Sequence, residues 1–362
     1  MSPEWIGILS LVVLFGAIFV GFPIAFTLIA VALVFGLIGL GELTMHLMTL
    51  QFFSVMKETT LASVPFFLFM GYLLEQSGLM ERLFRGVQLL LAPLRGSLYL
   101  AVLITATIFA AATGIVGSSV TLLGVMAAPA MKRSKYDVRL SAGTIAAGGT
   151  LGILIPPSVM LIVMGPVVGV PTTDLFAAAV VPGLLLSGLY IAYTLMRSYL
   201  NPSLGPALPL DERRPLGYVL KELIFGIAPI VLVIMATLGV ILAGIATPTD
   251  AGAVGAFAVF VLTLIYRRMT WEKLKKAVFS TLEVSCMILL LVAASNFFGA
   301  VFSRLGSATL IAESLLTLNF SPVAGRRLMV KPRITDGRVD WTCSSPDLPD
   351  ACVPQECRST TR

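Results

Sequence analysis

The sequence predicts an all-α polytopic membrane protein, and three observations predict it. First, 57% of the 362 residues are hydrophobic and only 12% are charged, with a mean hydropathy of +0.96, far from the composition of a soluble globular domain. Second, the apolar runs reach bilayer-spanning length and are separated by short polar loops. Third, several of these runs are interrupted by clusters of glycine, proline and serine, which predict helices that break inside the membrane. The formal charge of +6 sits in short clusters between apolar stretches, which is an orientation signal and not a nucleic-acid surface. The partner it implies is the lipid bilayer.

The N-terminus carries no Lys or Arg before the apolar run from Ile8 to Val20, so that run is expected to be retained as a span and not cleaved as a signal peptide. Spans over Ile6 to Phe22 and Ile24 to Leu40 share the connection Gly21-Phe22-Pro23, which predicts a tight helical hairpin. The mixed stretch from Glu42 to Thr60 holds the only histidine, His46, an interfacial residue. From Leu61 to Met80 the apolar core is too short to span, so a re-entrant hairpin is expected there. In Glu81 to Arg95, Arg82, Arg85 and Arg95 interrupt apolar positions, which predicts an amphipathic arm lying in the interface.

Between Gly96 and Met131 there are 36 residues without a charge. One helix of that length, at ~1.5 Å per residue, overruns the ~30 Å hydrocarbon core. It is expected to break at Thr113-Gly114-Ile115-Val116-Gly117-Ser118-Ser119, where two glycines and three hydroxyls fall together. A second break is dictated by chemistry in the charge-free run from Ala142 to Val168. Pro156 has no N–H for the carbonyl of Gly152 and Pro157 has none for Ile153, while Gly148, Gly149 and Thr150 precede them. A carbonyl freed in hydrocarbon costs several kcal/mol unless it is buried in protein or lines a polar cavity. Transporters use such carbonyls to hold cations, and use exposed N–H groups and hydroxyls to meet anions. A third proline break is expected at Ala246-Thr247-Pro248-Thr249-Asp250, where Asp250 is either an ion-binding carboxylate or a helix cap.

Loop charge orients the later spans. Lys132 to Arg139 holds four basic residues, Gly165 to Asp174 none, Arg197 to Glu222 four, Ala246 to Asp250 none, and Arg267 to Lys276 five. The basic loops are therefore expected in the cytoplasm. The run Val278 to Phe302 is apolar, hydroxyl-bearing and glycine-containing like Leu61 to Met80, and is expected to be its inverted-repeat counterpart.

The Gly148 to Ser158 phrase, the Gly117-Ser118-Ser119 element leading to Pro129-Ala130-Met131-Lys132, the Gly21-Phe22-Pro23-Ile24-Ala25-Phe26 turn and the Ala246 to Ala251 turn together resemble the large membrane subunit of tripartite ATP-independent periplasmic (TRAP) transporters. The likeness runs from about Met1 to Ala324. It implies an elevator-type body of two inverted repeats with re-entrant hairpins and broken helices in the bacterial cytoplasmic (inner) membrane. It implies sodium-coupled uptake of organic acids, carboxylates such as C4-dicarboxylates, with Na+ as the coupling ion and no other cofactor. The implied partners are a periplasmic solute-binding protein and a small four-span membrane subunit.

On this reading the chain divides into scaffold helices (1–60), a first repeat (61–200), an incomplete second repeat (201–324) and an aberrant, disordered polar tail (325–362). The candidate site comprises Ser63 and Pro65 at the first hairpin, and Thr113, Gly114, Gly117, Ser118 and Ser119 at the first broken helix. It continues with Gly149, Thr150, Gly152, Ile153, Pro156 and Pro157 at the proline break, and Thr247, Thr249 and Asp250 at the last turn. Sodium is expected at backbone carbonyls near Gly114 and Gly152, because carbonyl dipoles replace a hydration shell without trapping the ion.

Other classes fit less well. An intramembrane enzyme normally gathers carboxylates or histidines within its spans, whereas Glu75, Asp250 and Glu283 each stand apart in sequence. A structural scaffold leaves several costly breaks unexplained. Within transporters, another elevator carrier for carboxylates or arsenite is the alternative, and it works without a binding protein.

The tail from Gly325 carries seven basic and five acidic residues, Pro332, Pro346, Pro349 and Pro354, and Cys343, Cys352 and Cys357 at a spacing that matches no common zinc pattern. The family's second proline-rich break is missing, so the tail is expected to arise from a shifted reading frame that leaves the transport domain truncated. Translating the coding DNA beyond Ala324 in the other two frames should yield further apolar spans and a second Pro-Pro phrase. If neither frame does, that expectation fails.

Overall fold

A computed structural model describes residues 2–114, 117–207, 215–317, 329–335 and 338–344. The body is helical, as the composition predicts. Among the described residues, five helices are long and apolar enough to cross a bilayer alone, and two bent helix pairs qualify when each counts as one span. The chain forms two compact units, residues 1–52 with 294–362, and residues 53–293. This partition differs from the four-part division read from the sequence.

In the smaller unit, α1 (Pro3–Val20) and α2 (Ile24–Leu40) form the expected hairpin. Gly21 closes α1 with φ +101°, a conformation that strains any residue with a Cβ. α3 (Leu43–Lys57) follows. Ala32, Leu47, Phe297, Val301 and Leu305 make this unit's core, and the Ser307 hydroxyl at the start of α15 (Ser307–Thr317) donates to the Glu4 carbonyl at 2.9 Å.

The larger unit begins with a one-turn 3-10 segment, Thr59–Ala62, that runs into α4 (Ser63–Gln76). The hairpin expected at Leu61 to Met80 is absent, and this segment is one crossing. Fourteen α-helical residues at ~1.5 Å and four 3-10 residues at ~2.0 Å give roughly 29 Å, the thickness of the core. Its two ends identify its direction. Thr249 Oγ1 donates to the Thr59 carbonyl at 3.1 Å, beside a loop without basic residues, and Lys273 Nζ donates to the Gln76 carbonyl at 3.3 Å, in the five-lysine-and-arginine loop. Pro65 lies in the first turn of α4, where a missing N–H breaks no intrahelical bond.

α5 (Leu79–Leu90) is the predicted amphipathic arm, but it is docked on protein and not only on lipid. It packs on α11 (Leu216–Ile234), with Leu83, Phe84 and Val87 buried. The crossing is close because glycines face backbone from both sides. A Cβ on Gly86 would lie 3.1 Å from the Leu223 Cα, and one on Gly226 would lie 3.1 Å from the Leu83 Cα. Arg82 Nε bonds Glu222 Oε1 at 3.2 Å, and its guanidinium sits 5.9 Å from the Phe225 ring centre.

α6 (Ser97–Thr113) and α7 (Gly117–Arg133) are followed by α8 (Val138–Leu154), α9 (Val159–Val168) and α10 (Thr172–Leu200). α11 passes through a π turn at Met235–Gly239 into α12 (Val240–Leu242), a local widening of the helix. α13 (Pro248–Ile265) lies along α4, where Gly252 meets Phe66 and Phe67 and Gly255 meets Met70. α14 (Trp271–Arg304) is an unbroken 34-residue helix, so no hairpin exists at Val278 to Phe302. Its Ser280, Thr281 and Ser285 fit inside a helix, where Thr281 Oγ1 donates to the Ala277 carbonyl at 2.7 Å.

The tail departs from the expectation of disorder in one stretch. β1 (Met329–Thr335) and β2 (Arg338–Ser344) pair antiparallel, from Met329 opposite Ser344 to Thr335 opposite Arg338. The two-residue link is Asp336-Gly337, the strongest short-range hairpin signal in a sequence. Residues 345–362, with Cys352 and Cys357, lie outside the described residues.

Replacing Gly86 or Gly226 by leucine should separate α5 from α11 and cost about 1–3 kcal/mol, as overpacking does. Arg82→Ala should cost no more than about 1 kcal/mol, because its partnership is partly solvent-exposed. Thermal unfolding in detergent would rank the variants, and a larger loss for Arg82→Ala would reverse the assignment of this contact to close packing.

Candidate functional site

The site is built on three helical arms of equal length. α6, α7 and α8 each contain 17 residues, about 25 Å at ~1.5 Å per residue. Their polar ends are knit together on the side of the basic loops. The Tyr136 hydroxyl, just beyond α7, shares a 3.3 Å hydrogen bond with Ser97 Oγ at the start of α6 and accepts from the Leu98 N–H at 3.3 Å. Burial pushes the Tyr136 phenol above its ordinary pKa, so it stays protonated in this contact. Tyr99 stacks edge-on against Tyr136 and donates to the Leu204 carbonyl at 2.6 Å; that carbonyl also accepts from the Asp137 N–H at 3.1 Å. The Gly96 N–H donates to the Gly205 carbonyl at 2.9 Å.

Both ends of the α6–α7 pair therefore lie on one face. This corrects the sequence reading, because α6 and α7 form a helical hairpin that reverses between Gly114 and Gly117, where a break in one crossing helix was expected. The 36 uncharged residues enter the membrane and return. Both arms rest on α8.

The equal arms set the tip level with the proline break. α8 ends at Leu154 and α9 starts at Val159, with the two helices bent by 43°. At the tip Gly114 has φ +62°, and a Cβ there would come 2.4 Å from the Pro157 carbonyl oxygen and 3.1 Å from the Ser158 Cα. Only glycine combines that backbone with that contact. Just below, a Cβ on Gly149 would meet the Val120 Cα at 2.9 Å, so α7 and α8 touch almost backbone to backbone. The two discontinuities thus face each other inside the bundle.

The freed carbonyls have different fates. Ser158 is fully buried, and its hydroxyl donates to the Ile153 carbonyl at 2.6 Å. This replaces the N–H that Pro157 lacks, a role the sequence reading did not assign. Pro156 removes the corresponding N–H for Gly152. The hydroxyls of Thr113 and Thr150 donate within their own helices, to the carbonyls of Phe109 at 3.0 Å and Ala147 at 2.8 Å. Ser119 is buried and partnered, and Gly117 opens α7 with free space around it. The Ser118 side chain, with Ile115 and Val116, lies outside the described residues. Thr107 Oγ1 ties the α6 arm to Ser187 Oγ of α10 at 2.5 Å.

Ser63, Pro65, Thr247, Thr249 and Asp250 belong to a different place. Ser63 Oγ donates to the Thr60 carbonyl at 2.6 Å. Thr247 caps α13, accepting from the Asp250 N–H at 3.3 Å, and its hydroxyl donates to Asp250 Oδ2 at 2.6 Å. Pro248 opens α13 and so breaks no helix: Gly244, four residues before it, already lies in the turn after α12 with φ +70°. Around these residues is a cavity of about 530 Å³ on the face opposite the basic loops, lined by Thr59, Thr60, Thr172, Thr173, Thr247 and Thr249. The threonine pairs Thr59-Thr60 and Thr172-Thr173 went unnoticed in the sequence, although hydroxyl residues directly before an apolar helix are a start signal.

A re-entrant tip seated against a broken helix, inside an apolar bundle and free of carboxylates at the contact, defines a membrane permease of the broken-helix type. Residues 11–329 match the family described as the tripartite ATP-independent periplasmic transporter, DctM component, and the chain belongs to this family of large TRAP permease subunits. These are transporter subunits and not enzymes. The sialic acid TRAP transporter large permease protein SiaM of Vibrio cholerae is 30% identical over 310 residues, covering 85% of this chain and 71% of that protein. The C4-dicarboxylate TRAP transporter large permease protein DctM of Pseudomonas aeruginosa is 30% identical over 276 residues, covering 76% of this chain and 63% of its own length. The 2,3-diketo-L-gulonate TRAP transporter large permease protein YiaN of Escherichia coli is 28% identical over 313 residues, covering 85% and 71%.

Gly114→Ala should destabilise the tip by at least the ~1–2 kcal/mol of left-handed strain, with the Pro157 carbonyl contact adding to it. Gly117→Ala, which meets none of the described residues within 4 Å, should be neutral or slightly stabilising. Unfolding temperatures of the two purified variants would check this, and equal temperatures would dissolve the claim that Gly114 is clamped.

Proposed function

We propose that this chain is the membrane permease of a sodium-coupled uptake system for carboxylates in the bacterial inner membrane. It receives its solute from a periplasmic binding protein and works with a small four-span membrane subunit. The observation that carries the reading is the meeting of Gly114 with the Pro156 to Ser158 break. Two interrupted backbones at one depth offer carbonyl oxygens without a fixed charge, a donor set suited to an alkali cation that must also leave. The carbonyl of Gly152 is the stronger candidate ligand, because that of Ile153 is already bonded to Ser158. The relatives named for sialic acid, a C4-dicarboxylate and 2,3-diketo-L-gulonate support a carboxylate as the solute class. An elevator movement of the hairpin-bearing body against a fixed scaffold would carry it across.

Proteoliposomes holding the chain with its small subunit should take up a labelled carboxylate only with an inward sodium gradient and the binding protein present. Replacing Pro156 and Pro157 together by alanine restores the missing N–H groups and should abolish this uptake while leaving expression intact. Uptake that persists without the binding protein would favour a carrier that works alone. Uptake that ignores sodium would remove the coupling proposal.

A further inference from the structure

We propose that the larger unit carries a binding site for an anionic glycerophospholipid of the cytoplasmic leaflet, between α6, α8 and α10. A cavity of about 550 Å³ opens there, on the side marked cytoplasmic by the basic loops. Its rim holds Arg139, in the first turn of α8, and Arg197, in the last turn of α10, with Tyr190 and Tyr193 alongside. Both arginines are exposed, and neither is ion-paired with another described residue. The acidic residue of the lining, Asp137, caps α8 by accepting from the Leu140 N–H at 2.8 Å and keeps its charge, so two cations face one anion. The rim therefore keeps a positive excess.

Below the rim the wall is mainly apolar, with Leu103, Leu140 and Ala147, and the hydroxyls of Thr144 and Thr194 donate back within their own helices. Ala147 lies eight residues along α8 from Arg139, roughly 12 Å deeper. Gly143, between them, has nothing within 4 Å of where a Cβ would project. A free anion would occupy the rim and leave the groove empty. A phospholipid matches both parts, with its phosphate on the two arginines, its glycerol level by the tyrosines and one acyl chain along Gly143 and Ala147. This site is independent of the solute that the chain carries.

The test uses the full chain, purified in detergent, stripped of lipid and examined by native mass spectrometry. Dioleoyl-phosphatidylglycerol should be retained in preference to dioleoyl-phosphatidylcholine. Arg139→Gln with Arg197→Gln should weaken that retention roughly thirtyfold, the effect of losing two interfacial cations. Gly143→Phe fills the groove without touching a charge and should also remove the lipid. Lys132→Gln with Arg133→Gln, basic neighbours outside the cavity, should change retention less than threefold. Each variant should unfold at the parent temperature, which separates lost binding from lost structure.

Undiminished retention in the arginine double variant would overturn the proposal. So would retention that survives Gly143→Phe but is displaced by excess inorganic phosphate, since that pattern describes a headgroup-sized anion site. Complete displacement of the lipid by added small subunit would make the groove a protein interface and overturn it as well.

Discussion

A backbone carbonyl or N–H that loses its partner inside hydrocarbon costs several kcal/mol, and the larger unit is arranged around that cost. Proline removes two donors at the end of α8, and glycine ends α6 in a left-handed turn. Gly114, Pro156, Pro157 and Ser158 are all buried in protein. The two interruptions are set against each other, with Gly114 pressed on the Pro157 carbonyl and Ser158 buried to serve Ile153. The same arrangement that hides polar backbone from the bilayer concentrates it in one place, which is how a stability problem becomes a binding opportunity.

The support for this contact lies far from it. Tyr136, Tyr99 and Leu204 tie the ends of the arms on the basic face, and the glycines of α13 bring it close to α4. α4 in turn is anchored at both ends, through Thr59 and Gln76, to loops of opposite charge character. These ties orient the first part of the unit, which loop charge alone leaves ambiguous because the arm at Glu81 to Arg95 is itself basic. Membership of the large TRAP permease family agrees with this architecture.

The class of fold and the places where helices stop were legible in the sequence, because proline and glycine act locally. What the chain does after stopping was not. Whether Gly114 marks a kink or a reversal depends on Tyr136 meeting Ser97, 39 residues away, and no window of sequence contains that contact. The crossing of α4 was missed because the four residues before it, Thr59–Ala62, adopt the longer 3-10 rise. The unbroken α14 was mistaken for a hairpin because a hydroxyl such as that of Thr281 bonds back within a helix as readily as it marks a break. Asp250 shows the converse, a conspicuous carboxylate absorbed by a helix cap. The Asp-Gly link in the tail was a plain turn signal overlooked among prolines and charges.

The matched lengths of α6, α7 and α8 carry an evolutionary consequence. Inserting or deleting one residue in any arm would shift its end by about 1.5 Å and rotate it by about 100°, turning Gly114 or Pro157 away from its counterpart. Substitutions can drift along these helices, but changes of length cannot be absorbed singly. The arms should therefore vary in residue identity while keeping a constant count, and the short turns beyond Arg133 and Leu200 should keep theirs as well, because Tyr136 and Leu204 register the arms against one another.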